Sequence, residues 1–373
     1  MTKLILTGVS FMVFSAAIAQ NQATLRQVGT QLNSTQNQVG SHLMSTVIQG
    51  TGTNTAINSH NTALTDQLGN NSTATVEQRL FSTANTAILI QKGDNNAGAI
   101  EQNVASGGMG VGNTAELFQA GNNNLSTIVQ QNNVSFGNQA YLNQYGNNNN
   151  ETRITQSTLS FRNKATIDMG GDGPMGMYPN GWTPVNGGTA IIEQMDNSHD
   201  NIARIGQSGD GHIGRIYQNN NTANSEAYIE QYPSEQANNA LIQQTNQSSG
   251  TARITQNQNS FGGGSGANLA EVFQGSNAFS LSGGNYTLIT QENANNISRN
   301  QQLGTNNVAI ISQTGNGNIV EGLGGDPIAR QIGSANQLHV TQSSLGGPGN
   351  VAHVSQLGTG NVAIISQVSQ VSN

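Results

Sequence analysis

A seven-residue unit recurs along almost the whole of this chain, and its internal spacing leaves few folds open. The stretch Asn85–Gln102, NTAILIQKGDNNAGAIEQ, holds two copies. They are Asn85-x-Ala87-x-Leu89-x-Gln91 and Asn96-x-Gly98-x-Ile100-x-Gln102, joined by Lys92-Gly93-Asp94-Asn95. Alternate positions carry an amide, a small residue, a branched aliphatic and a second amide. Residues two apart share one face of a strand, so all four point the same way, inward. A helix is excluded on two counts. The internal period is two and not 3.6, and seven residues between Gly-rich turns cannot repay helix nucleation.

Copies begin at Asn21-x-Ala23-x-Leu25-x-Gln27 and run to Asn361-x-Ala363-x-Ile365-x-Gln367. Counting the degenerate ones near His60, Met169 and Gly324, there are roughly 28 units, which makes residues 20–373 one repeat array. An amide facing apolar neighbours is costly alone, but a column of amides satisfies itself. The expected ladder residues are the pairs Asn85/Gln91, Asn96/Gln102, Asn113/Gln119, Asn124/Gln130, Asn138/Gln144, Asn201/Gln207, Asn307/Gln313, Asn350/Gln356 and Asn361/Gln367.

The links between units set the topology. Tight ones carry a glycine second, at Gly69, Gly93, Gly121, Gly146, Gly209, Gly315 and Gly358. Glycine there supplies the positive φ of a sharp reversal. From Gln67 to Gln156 tight and longer links alternate, so one repeat is strand, tight arc, strand, looser arc, with a period of about 22 to 28 residues. Such a repeat cannot bury its apolar face alone and must stack on its neighbours. Stacking like on like predicts an all-β solenoid of two facing parallel sheets in cross-β arrangement. Roughly 14 rungs at ~4.8 Å each give a rod ~65 Å long. The largest interruption, 170–187, holds three of the six prolines and the only Trp, and reads as a loop leaving the stack. Smaller Gly-rich excursions fall at 103–112, 257–267, 275–284 and 343–349. Phe81, Phe136, Phe161 and Phe261 read as loop residues tucked over a sheet edge.

Composition narrows the function. Charged residues are 8 % of 373, the net charge is −7, and no basic run provides the footprint of nucleic-acid binding. There is no cysteine, so stability must come from the backbone ladder and from packing. Residues 1–19 differ from all that follows: Lys3, an apolar run from Leu4 to Phe14, then Ala17-Ile18-Ala19. This is the pattern of a cleaved secretory signal peptide. The run is shorter than the ~20 apolar residues of a membrane span, and no later run could be one.

Units of the form Ser/Asn-x5-Gln, joined by x-Gly-x-Gly/Asn-Asn turns and paired into repeats of about 22 residues, resemble the curlin repeats of bacterial curli fibre subunits. Ser72-x5-Gln78, Asn361-x5-Gln367, and Gln356 with Gly358, Gly360 and Asn361 are close fits. The resemblance covers nearly all of residues 20–373, in an array longer than the handful of repeats usual in that family. It implies a secreted protein that crosses the outer membrane through a dedicated pore. It would fold outside the cell as a β-solenoid and polymerise with itself into biofilm amyloid, with a nucleator subunit as a further partner.

No catalytic, metal or cofactor constellation is expected. The six histidines (His42, His60, His199, His212, His339 and His353) are dispersed and read as solvent-facing. His339 and His353 occupy one slot of consecutive units, which should lie on opposite sheets. Glu193, Asp196, Asp200 and Asp210 are the densest acidic run. Asp94 and Asp210 sit in tight turns, where acids favour the turn and keep rods from sticking laterally. The reading is therefore a structural, self-assembling fibre subunit and not an enzyme. The rival is a discrete solenoid that binds a surface, such as a tip adhesin, a fibre nucleator, or an ice- or glycan-binding rod.

Overall fold

The computed structural model describes residues 20–50, 59–79, 83–103, 112–131, 137–148, 151–170, 185–232, 237–257, 266–275, 282–345 and 348–370. The signal-like segment 1–19 lies outside them. So do most of the excursions expected at 103–112, 257–267 and 275–284, part of that at 343–349, most of the loop at 170–187, and Phe81, Phe136 and Phe261.

Two parallel sheets face each other, and the chain visits them in turn. The first opens with Gln22–Gln27, Met44–Gln49 and Thr73–Gln78; the second with Asn33–Ser41, Thr62–Asn70 and Thr86–Lys92. Each sheet's main path runs through thirteen strands, and every strand between the two ends pairs with the strand one repeat before and one repeat after it. The register repeats residue for residue. In the second sheet Ala87 lies opposite Ala115, Leu89 opposite Leu117 and Gln91 opposite Gln119.

The period of two in the sequence becomes alternating burial. In Thr86–Lys92 every second residue is buried, and Ala97–Asn103 repeats the pattern. Ala87, Leu89, Ile100, Ala115, Leu117 and Ile128 are wholly inaccessible or nearly so. The core is thus a thin slab, one aliphatic and one small side chain deep from each strand. Burying each aliphatic contributes about 1.5–3 kcal/mol. Neighbouring rungs supply most of that cover, so no rung is stable by itself.

The described residues form thirteen rungs, fewer than the fourteen or so expected, for two local reasons. Asn33–Ser41 pairs directly with Thr62–Asn70, so the degenerate copy ending at His60 adds no strand between them in that sheet; its residues 54–58 lie outside the described set. Near Gly324 a single strand is split. Ile319–Glu321 and Ala329–Ser334 both pair with Ile297–Thr305, and the 3₁₀ turn Leu323–Gly325 bulges out between them. At the large interruption, Val185–Asn186 returns to pair with Gly146–Asn147 of the second sheet.

The tight links do not stay on one side of the solenoid. Gly69, Gly93, Gly121 and Gly146 join the second sheet to the first and form one column, in which a Cβ on Gly93 would collide with the carbonyl oxygen of Gly121. Gly209 and Gly315 lie on that same edge, but Gly358 does not. It joins the first sheet back to the second and stacks with Gly304 and Gly333 on the opposite edge. The strict alternation of tight and loose arcs therefore ends before Gln302, where the formerly loose edge becomes tight.

Candidate functional site: the stacked amides

The second amide of each unit closes the strand and points into the slab. In the first sheet one ladder runs unbroken through Gln27, Gln49, Gln78, Gln102, Gln130, Gln156, Gln194, Gln218, Gln244, Gln274, Gln302, Gln331 and Gln356. Each Nε2 donates to the Oε1 one rung on, at 2.7–2.9 Å. The same Nε2 reaches across the slab to a backbone carbonyl of the facing sheet, as Gln102 does to Thr86 O at 3.0 Å. The amides therefore tie rung to rung and sheet to sheet.

The second sheet repeats the device in two lengths. Gln38, Gln67, Gln91, Gln119 and Gln144 form one ladder, and Gln207, Gln231, Gln256, Gln291, Gln313, Gln342 and Gln367 the other, at 2.8–3.0 Å. Between them stands Met169, fully buried, with its sulfur 4.0 Å from Gln144 Nε2 and 3.2 Å from Thr152 Oγ1. Met169 can donate nothing forward, and Gln207 Oε1 is buried with no hydrogen-bond partner.

The first amide of each unit behaves differently from a simple side-chain ladder. Its Oδ1 accepts the backbone N–H of its counterpart one rung on: Asn85 from Asn113, Asn113 from Asn138, Asn96 from Asn124, and Asn307 from Asn336, at 2.7–3.1 Å. Asn201 donates its N–H to Asn163 and accepts that of Ser225. Asn350 and Asn361 donate theirs to Asn318 and Asn336. Several Nδ2 groups hold a tight-turn glycine of the next rung, as Asn96 holds Gly121 O at 2.8 Å, Asn124 Gly146 O at 3.0 Å and Asn336 Gly358 O at 3.0 Å. Asparagine thus locks strand starts onto arcs, while glutamine zips strand ends.

One histidine belongs to this system and corrects the solvent-facing expectation. His212 is completely buried in the asparagine slot of the first sheet. Its Nδ1 takes the N–H of Asn238 at 3.1 Å, as an asparagine Oδ1 would, and its Nε2 meets Ser208 O at 3.0 Å. That arrangement requires the neutral ring with its proton on Nε2. Burial lowers the pKa of His212 below 6.5, against smaller raising effects from Ser208, Asp210 and Tyr232. It opens the unit His212-x-Gly214-x-Ile216-x-Gln218, in the slot that asparagine or serine fills in other units, and that position directly after the Gly209-Asp210-Gly211 turn was the available signal.

The remaining polar candidates fall apart on the outer faces. Glu193 pairs with Arg153 at 2.6 Å, and Asp200 with Arg162 at 2.7 Å. Among the described residues no three His, Asp or Glu side chains are grouped as a metal site would need. His339 lies in the second sheet between Ile310 and Ile364, and His353 in the first, 3.2 Å from Glu321. Phe161 stacks on His199, ring centroids 5.0 Å apart.

Fold and ladders together define a two-sheet parallel β-solenoid with stacked amides. No protein-family model and no curated protein matches the chain. Among the described residues no helix is long and apolar enough to cross a membrane.

Proposed function

We propose that this chain is a structural subunit of an extracellular, curli-like amyloid fibre, exported from a bacterial cell by way of its N-terminal signal and serving biofilm matrix and surface adhesion. It assembles with further copies of itself by end-to-end stacking of rungs, with a nucleator subunit and an outer-membrane secretion pore as partners in the cell. The observation that carries this reading is the repeated ladder. Almost every rung offers the next the same register, a glutamine donor (Met169 excepted) and an inward small residue and aliphatic, so a rung supplied by another chain meets much the same surface.

The last described strand, Val362–Gln370, supports it. Its inward Ala363 and Ile365 are only partly covered, and its outward Val362, Ile364 and Val368 are 61, 76 and 63 % exposed. The Nε2 groups of Gln356 and Gln367 donate to the backbone carbonyls of Gln337 and Val351, in the same pose from which earlier glutamines also reach forward. An unpaired strand edge of this kind templates further pairing. Purified secreted protein should form thioflavin-positive fibres whose growth is accelerated by sheared fibre fragments. Protein that stays monomeric at high concentration would overturn the reading.

A further inference from the structure

One outward column of the second sheet reads alike from its two ends. Leu64, Ile88, Glu116, Tyr141 and Thr166 stand on five successive rungs, and Arg204, Tyr228, Arg253, Leu288 and Ile310 continue the column on the next five. From either end the order is two aliphatics, a charge, a tyrosine and a polar residue, and the two charges are opposite. Glu116 is exposed, Arg253 is half exposed although it holds Glu230 at 2.8 Å, and the four aliphatics are only half-buried. Ile90, Phe118 and Val308 beside them are half-buried too. A contiguous apolar surface of this kind marks an interaction site. These rungs spend their backbone N–H and C=O groups on one another, so the surface can only be met face-on.

We propose that this face docks a second copy of the chain, the two related by a two-fold axis that lies along the strands between Thr166 and Arg204. Such an axis sets each outward column against its own counterpart and reverses the order of the rungs. Glu116 then faces Arg253 of the second copy, and Leu64 and Ile88 face its Ile310 and Leu288. By symmetry each contact occurs twice. A separate column at the strand ends supports the same register. Lys92 lies on the rung of Ile88 and Glu292 on that of Leu288, so these opposite charges meet as well. Arg204 faces Thr166 of the second copy beside Asp168, the acid it approaches to 3.4 Å in its own. The hollow of about 570 Å³ between Tyr141 and Tyr228 gives the facing tyrosines room to lie side by side.

Other alignments of the two faces set like charges together, which specific interfaces avoid. With the solenoids parallel and like rung against like rung, Glu116, Arg204 and Arg253 would each face themselves. Slipping the antiparallel pair by one rung in one direction sets Arg204 against Arg204. Slipping it the other way sets Glu116 on Tyr228, between Glu226 and Glu230 of the same strand. Either slip also parts Lys92 from Glu292. Ten rungs and a width of five residues give a contact of ~43 by ~17 Å, about 700 Å² from each copy, close to the ~800 Å² per partner of a standard interface. The pairing uses a face of the solenoid and is independent of how its ends assemble.

The chain has no cysteine of its own, so single introduced thiols report the pairing. Thr166→Cys, next to the axis, should give covalent dimers with a short bis-maleimide. End-to-end stacking cannot produce them, because it holds the two copies of residue 166 thirteen rungs apart, ~60 Å. Glu116→Cys should give at least tenfold fewer, since in the proposed pair its two copies lie five rungs apart, ~24 Å. Adding Glu116→Arg or Arg253→Glu to the Thr166→Cys chain should each cut the dimer yield tenfold or more. Mixing those two variants should restore it, because the mixed pair regains both opposite-charge contacts, and recovery also shows that each variant is folded. Thr166→Cys chains that stay monomeric, Glu116→Cys chains that crosslink as readily, or a mixture no better than its components would each overturn the proposal.

Discussion

Met169 and Gln207 lie opposite each other in the second sheet, and the glutamine's buried Oε1 has no hydrogen-bond partner because the methionine has no amide to give. This is the one break in the second sheet's glutamine ladder, whose counterpart in the first sheet is continuous.

Replacing Met169 with Gln should therefore stabilise the fold. The new Nε2 would reach Gln207 and the new Oε1 would accept from Gln144, relieving an orphaned acceptor worth about 1–3 kcal/mol. Urea or guanidinium unfolding of the monomer should show a higher midpoint for Met169→Gln. An unchanged or lower midpoint would mean that the sulfur contacts to Gln144 and Thr152 outweigh the amide.

The converse change in the first sheet should be costly. Gln130→Leu keeps the volume but removes both its bond to Gln156 and its acceptor for Gln102, each at 2.8–2.9 Å. The acceptor of Gln156 is then stranded as that of Gln207 is now. A loss of roughly 1–3 kcal/mol is expected, and the double variant Met169→Gln, Gln130→Leu should show the two effects adding, since the sites lie on different sheets.

How much of this was legible beforehand depends on the scale of the feature. A period of two between Gly-rich links left only strands, and links of two kinds left only a solenoid, so the parallel sheets could be read from the stretch between Gln67 and Gln156. What escaped were features that belong to the stack and not to the unit. The orphaned oxygen of Gln207 depends on a residue 38 positions earlier that register alone brings beneath it. Likewise the transfer of tight turns to the other edge, at Gly304, Gly333 and Gly358, arises from link lengths near residue 302 that no single repeat displays.

Turn glycines separate strain from collision. Gly93 has φ +103° and faces the Gly121 carbonyl, whereas Gly360 has φ +70° and nothing within 4 Å. Gly93→Ala should cost well over the ~1 kcal/mol expected from left-handed backbone alone, because the neighbouring arc must also move. Gly360→Ala should cost about that smaller amount. Equal thermal shifts for the two would show that the arcs are not in contact.

His212 gives the monomer a defined acid sensitivity. Its folded pKa lies below the unfolded value of 6.5, so the unfolded chain binds the extra proton first. The stabilisation is fully present above pH ~6.5 and is lost as pH falls from there toward the folded pKa, with a slope of up to ~1.4 kcal/mol per pH unit. Protonation would put a donor against the Asn238 N–H and a charge among buried groups, with only Asp210 as a nearby opposing charge. His212→Asn restores the residue that fills this slot in most rungs, and its unfolding midpoint should fall less than the parent's between pH 7 and pH 5.

The central claim is that rungs of different copies stack as rungs of one copy do, and fibre diffraction reads this directly. Aligned fibres of the purified protein should give a meridional reflection at ~4.7–4.8 Å, with strands perpendicular to the fibre axis, and an equatorial sheet spacing of ~10 Å. Replacing the inward Ile365 of the last rung with Lys should abolish those fibres while leaving the monomer's sheet content intact. Discrete rods that never elongate, or fibres whose 4.8 Å spacing lies across the axis, would contradict the account.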